Sequence, residues 1–319
     1  MKIKDVTAIA RAAFASAVMF VMGAFLPFLG GFATLFAPTP LLSYAVGVPH
    51  AEARILAATA VSTVLVATVG GISAATAYAA SFGVAAVLMC FMLERRQPFE
   101  LIVLSTAMPV LLSGTVAALA FAGSPAELVK IAHDQLVAGM MRGEGLYKTL
   151  GLQVAIAPDT RAYVVDTVLR LTPALAALIC ALMVLLNLIV FWRWGGREQR
   201  LGYTLFGDLA RWSAPEWLVW PLLVSGFAWF LPIRAAANIA MNCFVIVVGI
   251  YFCQGLAIMA FYFKQLRMPG VARGLIYFVT LAQPLLMAVV GAAGIFDLWV
   301  DFRRLKKPNA TARNLRNFL

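Results

Sequence analysis

Apolar residues in this chain come in long uncharged runs separated by short polar breaks, and these runs set the architecture. Nine of them are candidates to cross a membrane: Ala12 to Leu29, Phe32 to Val48, Ile55 to Val69, Ile72 to Leu93, Leu101 to Ala122, Val164 to Trp192, Trp217 to Leu231, Ala235 to Phe263 and Leu275 to Val300. About 20 apolar residues, rising ~1.5 Å each, cover the roughly 30 Å of a hydrocarbon core. The runs do not alternate apolar and polar residues in blocks of about ten, which excludes a transmembrane β-barrel. The pattern predicts an all-α polytopic integral membrane helical bundle with eight or nine transmembrane helices. Glycine pairs at Gly30-Gly31, Gly70-Gly71 and Gly195-Gly196 mark tight reversals between elements.

The long polar excursion lies between the fifth and sixth runs, over residues 123–163. It opens with Ser124-Pro125-Ala126-Glu127, a capping box with proline at the first helical position, so a helix is expected to start there. Leu128, Ala132, Leu136 and Met140 then share one face, and Glu127, Lys130 and Asp134 another. Such a helix suits the membrane interface, or a lid over an outward-facing cavity. Pro173 predicts a kink in the sixth run. Ala37-Pro38-Thr39-Pro40 predicts a break at membrane depth in the second, an arrangement tolerated where protein covers the backbone or a cavity lies beside it.

Composition agrees with this architecture: 63% of the 319 residues are hydrophobic and 12% charged, against roughly 25% charged in a soluble domain. The net charge of +11 sits at the ends of apolar runs, which points to a membrane surface rather than nucleic acid. Nine crossings with the N-terminus inside would divide the 25 Lys and Arg almost evenly between the two sides. If Trp217 to Leu231 is interfacial or re-entrant, seventeen fall inside and eight outside, so the charge rule favours eight crossings. That segment is short, carries Trp217, Trp220 and Trp229, and is interrupted by Pro221 and Gly226. The first run, preceded by Lys2, Lys4 and Arg11, reads as an uncleaved helix because further spans follow at once. Cys90, Cys180, Cys243 and Cys253 all lie in apolar stretches without a CxxC pair, so neither a metal, a cofactor nor a disulfide framework is expected.

Ionisable residues, which an intramembrane enzyme would need, are scarce in the runs, and no enzymatic activity is expected. Asp166 and Arg170 can pair at the outer end of the sixth run, and His50, Glu52 and Arg54 share a short loop that reads as solvated surface. Asn238, Asn242 and Gln254 read as helix packing through interhelical hydrogen bonds, beside Asn187 and Gln283. Ala13 and Ala17 form a small-residue pair that permits close helix approach. Asp297 and Asp301, with Arg303 and Arg304, read as an interface anchor for the last helix. An uncharged aromatic cavity lining is expected from Pro38, Pro40, Tyr44 and Tyr78, suited to a ring-containing or amphiphilic ligand.

Gln254-Gly255-Leu256-Ala257, Phe261-Tyr262-Phe263-Lys264, Gly294-Ile295-Phe296-Asp297 and Asp301-Phe302-Arg303-Arg304 resemble the C-terminal signature of the YybS-like bacterial membrane proteins, a family of unknown function. The proline-containing second run and Ala214-Pro215-Glu216-Trp217 are similar to that family's pattern as well. The N-terminal half of such proteins resembles the S components of energy-coupling-factor transporters. That resemblance implies an external solute site, and a first-helix small-residue face, here Ala13 and Ala17, that meets a transmembrane partner. The expected organisation is a six-helix S-component-like region over 1–193, a basic interfacial linker over 194–216, C-terminal membrane helices over 217–302 and a basic tail over 303–319. The expected role is a multi-pass protein of the bacterial inner membrane that binds or transports a small, mainly uncharged solute. The alternative is a non-transport scaffold or regulatory partner in envelope assembly. Lipid bilayer, anionic lipid at the basic tail and a transmembrane protein are the expected partners, and nucleic acid is not.

Overall fold

Proline and glycine decide where the helices of this chain begin, break and turn. The computed structural model describes residues 3–26, 29–149, 151, 157–193 and 201–305. It divides into an N-terminal unit, Met1–Leu205, and a C-terminal unit, Phe206–Leu319. Helices account for its regular structure, and no strand occurs among the described residues. Five of these helices are long and apolar enough to cross a membrane, with a sixth if one sharply bent pair counts as a single span.

The N-terminal unit contains α1 (Ile3–Phe25), α2 (Leu29–Leu35), α3 (Pro38–Ala45), α4 (Ala51–Tyr78), a π-helical turn at Ala79–Gly83, α5 (Val84–Glu94), α6 (Phe99–Ala122), α7 (Pro125–Thr149) and α8 (Pro158–Arg193). Helical backbone continues from Ala51 to Glu94, and a straight helix of that length would be about 66 Å long. Instead, the Gly47 N–H donates to the Glu94 carboxylate at 2.7 Å. A Cβ added at Gly83 would meet the Thr59 methyl at 3.0 Å. Both pairs are nearly symmetric about Gly71, whose φ of 76° and ψ of −174° break the helix. That φ is open to glycine and strained for other residues. The run is therefore a helical hairpin, and the two spans expected on either side of Gly70-Gly71 are its arms.

The second expected span is broken into α2 and α3, with proline at the start of α3. Its two ends border cavities at opposite ends of the unit: Gly31 and Thr34 lie beside Phe25 and Gly70, whereas Gly47 lies beside Glu94. The broken pair thus traverses the unit, which has six traverses: α1, α2 with α3, the two hairpin arms, α6 and α8. Pro109 and Pro173 both lie inside helices that continue past them, so Pro173 does not end α8. α7 begins at the expected proline, with Ser124 Oγ accepting from the Glu127 N–H at 3.2 Å. It extends past the expected face to Thr149, has no fully buried residue, and is tied to α8 by the Arg161–Glu144 ion pair at 2.7 Å.

The C-terminal unit contains 3-10 turns at Leu209–Arg211 and Glu216–Leu218, then α9 (Val219–Ala228), α10 (Arg234–Gln265), α11 (Gly270–Ala282) and α12 (Pro284–Val300). Asp208 pairs with Lys264 near the end of α10. Further along, the Ala214 N–H donates to Gln254, Leu218 and Leu222 pack with Val247 and Tyr251, and Trp229 lies 5.9 Å from Phe244. Residues 208–233 therefore run antiparallel along α10, from its last turn back towards Arg234.

The final expected span, Leu275 to Val300, is not a single helix. Gln283 is extended (φ −113°, ψ 109°), as the residue before a proline tends to be, and α11 and α12 meet at 104°. Tyr277 packs on Phe263 at 5.3 Å, and the Phe302 carbonyl accepts from the Tyr262 hydroxyl at 2.9 Å. Both ends of the bent pair thus lie beside the same end of α10, and the pair enters and returns. Trp217 to Leu231 was expected as an interfacial or re-entrant element, and Leu275 to Val300 as a crossing. The structure reverses the two assignments: the tryptophan-rich segment runs the length of the unit, and the last one turns back.

Candidate functional site

In the N-terminal unit the break between α2 and α3 is surrounded by buried polar side chains from three other traverses. Ser16 on α1, fully buried, donates to the Ala37 carbonyl at 2.6 Å and shares a 2.6 Å hydrogen bond with the Tyr78 hydroxyl. Asn187 on α8 donates to the Leu35 carbonyl at 2.7 Å, and its Oδ1 accepts from the Thr39 hydroxyl at 2.7 Å. A broken helix exposes carbonyls that lipid cannot satisfy, so each such bond removes a penalty of several kcal/mol. Asn187 was legible as a polar group inside a span. Ser16 was not, because serine is common in helices and its partner lies 21 residues away.

Next to the break is a cavity of about 510 Å³ lined by Phe20, Phe25, Gly31, Thr34, Val69 and Gly70, among others. None of its lining side chains is ionisable. Thr34 donates within the protein, to the Gly30 carbonyl at 2.9 Å. The expected lining residues fall elsewhere. Tyr78 lies beneath this cavity, its ring edge-on to Phe20 at 5.3 Å, and Pro38 is buried at the break. Tyr44 lies under the Arg54 guanidinium at 5.5 Å, and Pro40 is half-buried in α3.

At the opposite end of the unit, a cavity of about 650 Å³ is lined by residues 47–53, Glu94, Arg96 and Leu201. His50 and Glu52, read together with Arg54 as solvated surface, are exposed and border this cavity. Nearby, Tyr203 donates to the Leu93 carbonyl at 3.3 Å. Burial, reinforced by Glu94 and opposed by Arg96, pushes the Tyr203 pKa up to about 12.

A family model described as a predicted membrane protein, DUF2232, matches residues 14–298. The chain belongs to that family. It is an all-α polytopic membrane protein, embedded in a lipid bilayer. No curated protein and no solved structure matches the chain. The DUF2232 match covers most of the chain and reaches into both units.

The C-terminal unit of this family member holds a second polar cluster. Gln254 bridges two elements, accepting from the Ala214 N–H at 3.0 Å and donating to Asp297 at 3.0 Å. Asp297 also pairs with Arg303 at 2.7 Å, with the Arg303 side chain 0% and the Asp297 side chain 5% exposed. The guanidinium donates further to the carbonyls of Ala210, at 3.0 Å, and Trp212, at 2.8 Å. An interface anchor of Asp297 and Asp301 facing Arg304 on a continuing helix was expected. The helix stops at Val300, and left-handed backbone at Asp301 (φ 47°) turns the chain so that Arg303 lies back over Asp297. Asp301 instead accepts from the Leu305 N–H at 2.8 Å.

Gln254 packs between helices as expected, whereas Asn238 is exposed and accepts from Asn242 within its own helix at 2.9 Å. Ala13 and Ala17 are buried inside the N-terminal unit, where Ala17 packs with Ala37, Val66 and Tyr78. Their face is covered by the chain's own helices, which removes it as a surface for a separate transmembrane partner. The basic tail beyond Leu305 lies outside the described residues, as does the linker over 194–200.

Proposed function

We propose that this protein binds a small, mainly uncharged solute, without catalysing a reaction, in the apolar cavity beside the α2–α3 break. The observation that carries this reading is the lining itself: a space of about 510 Å³ at the end of a broken helix, with no ionisable side chain around it. The six traverses of the N-terminal unit and the similarity to YybS-like proteins and S components support a solute-binding half of that kind. Fold analogy raises this reading without fixing a solute.

The membrane is proposed to be the bacterial cytoplasmic membrane, with the N-terminus inside. Read from the sequence, an eight-crossing topology puts the larger share of the 25 Lys and Arg on the N-terminal side, which supports a cytoplasmic N-terminus.

Gly31 provides the test, because a Cβ added there meets nothing within 4 Å while the residue borders the cavity. Native mass spectrometry of the purified wild type is expected to reveal a co-purifying small molecule that Gly31→Phe excludes. A wild-type preparation without such a molecule, or one retained equally by Gly31→Phe, would overturn the reading in favour of a membrane scaffold.

A further inference from the structure

The cavity at the opposite end of the N-terminal unit, lined by residues 47–53, Glu94, Arg96 and Leu201, has a different chemistry from the solute cavity. Its lining holds two carboxylates, Glu52 in the first turn of α4 and Glu94 at the end of α5, and a guanidinium, Arg96, just past α5. Glu94 is held in place by the Gly47 N–H at 2.7 Å. Among the described residues no ion pair joins Arg96 to either carboxylate, although charges of both signs line one space of about 650 Å³. Left-handed backbone at Arg96, with a φ of 55° just past the end of α5, and at His50, with a φ of 59° just before α4, shapes the two turns that border the cavity.

The depth of this cavity identifies what surrounds it. Its walls are the two connections between apolar traverses, from α3 to α4 and from α5 to α6, so it opens where hydrocarbon gives way to lipid headgroups. The molecules most concentrated at that depth carry a phosphate on a glycerol ester, and some carry an amine beyond it. Arg96 matches a phosphate through its planar array of donors. Glu52 and the second oxygen of Glu94 match an ammonium that retains its N–H donors.

We propose that this cavity is a headgroup site for a zwitterionic phospholipid with a primary amine, of the phosphatidylethanolamine type. Arg96 takes the phosphate, and Glu52 with Glu94 takes the ammonium. A trimethylated amine has no N–H to donate, and a headgroup without an amine leaves the carboxylates facing a phosphate. The site therefore prefers phosphatidylethanolamine to both phosphatidylcholine and phosphatidylglycerol.

The test is lipid retention measured by native mass spectrometry of the whole protein, released from nanodiscs of equal parts phosphatidylethanolamine, phosphatidylcholine and phosphatidylglycerol. Phosphatidylethanolamine is expected to be retained about tenfold over phosphatidylcholine, the ratio of one charge-assisted hydrogen bond. Glu52→Gln is expected to bring that ratio close to one while phosphate retention persists, and Arg96→Gln to lower retention of all three. Because the two variants fail in different ways, a shared folding defect is separable by the unchanged elution and melting of either one. Equal retention of the three lipids, or a preference for phosphatidylglycerol, would overturn the proposal. Binding of soluble phosphoethanolamine as tight as that of the lipid would overturn the membrane source and assign the site to a free zwitterion. Gly31→Phe lies at the other cavity and leaves this ratio unchanged, so the headgroup site and the solute site fail independently.

Discussion

The Tyr262 hydroxyl donates to the Phe302 backbone carbonyl at 2.9 Å, which places the end of the last helical pair beside the end of α10. A crossing segment would have carried Phe302 to the level of Arg234, at the far end of a 32-residue helix about 48 Å long. This one bond, with Tyr277 packed on Phe263, makes α11 and α12 a re-entrant pair. The second unit then has two traverses, and its described C-terminal end lies beside the Asp208–Lys264 end of α10.

Thiol labelling in a cysteine-free background is expected to follow that topology. Cysteines at Arg267 and Phe302 should react with an impermeant maleimide from the same side, and one at Ile233 from the opposite side. Labelling of the Arg267 and Phe302 positions from different faces would restore the last segment as a full crossing.

The Asp297–Arg303 pair is expected to cost most when only one partner is removed. Arg303→Met leaves a buried carboxylate beside Gln254, and a loss of about 3–5 kcal/mol is expected, seen as a lower melting temperature in detergent. The double replacement Asp297→Leu with Arg303→Met should recover much of that loss, since it leaves no unpaired charge. Equal melting of the single variant and the wild type would contradict the burial of the pair.

Gly255 and Gly294 are where α10 and α12 cross. A Cβ added at Gly255 would collide with the Val290 carbonyl, and one at Gly294 with the Tyr251 carbonyl. Backbone atoms cannot yield as a flexible side chain does, so Gly294→Ala is expected to separate the helices and lower stability by about 1–3 kcal/mol. Gly143→Ala, on the exposed helix α7 where a Cβ meets nothing within 4 Å, should be neutral or slightly stabilising in the same melt.

Removing Asn187 should weaken the broken traverse. Asn187→Leu leaves the Leu35 carbonyl without its side-chain donor and the Thr39 hydroxyl without its acceptor, with an expected loss of about 1–3 kcal/mol. Faster hydrogen exchange confined to α2 and α3 would locate the effect at the break, and unchanged exchange there would contradict the clamp.

The Asp208–Lys264 pair predicts a small acid sensitivity. The Lys264 hydrogen bond, ahead of the opposing effect of burial, holds the Asp208 carboxyl below its ordinary value of 3.8. Its contribution is therefore present above the unfolded value and lost as pH falls through the lower folded one. Both partners are more than a third exposed, so solvent screening limits the contribution to below about 1 kcal/mol. Asp208→Asn should lower the melting temperature slightly at neutral pH and converge with the wild type in acid, as a melting series over pH would register.

Local chemistry was enough to place much of this fold. Long apolar runs identified the helices, the Gly70-Gly71 pair identified the hairpin, and Ser124-Pro125 identified the start of α7, because each depends on residues adjacent in the chain. The proline pair at Pro38 and Pro40 likewise marked the break, and Gln254 marked a helix contact. Tertiary structure alone decided what closes those elements together. Ser16 and Asn187 meet the broken backbone from 21 and 152 residues away, and spacing along one helix carries no record of such partners. Hydropathy and length misassigned Trp217–Leu231 and Leu275–Val300, since the shorter run spans the unit and the longer one bends at Gln283. Their roles followed from pairings across the unit, Asp208 with Lys264 and Tyr262 with Phe302. Chain reversal at Asp301 then turned Arg303 from a tail residue into the buried partner of Asp297, because a left-handed backbone there overrode the helical spacing that the sequence implied.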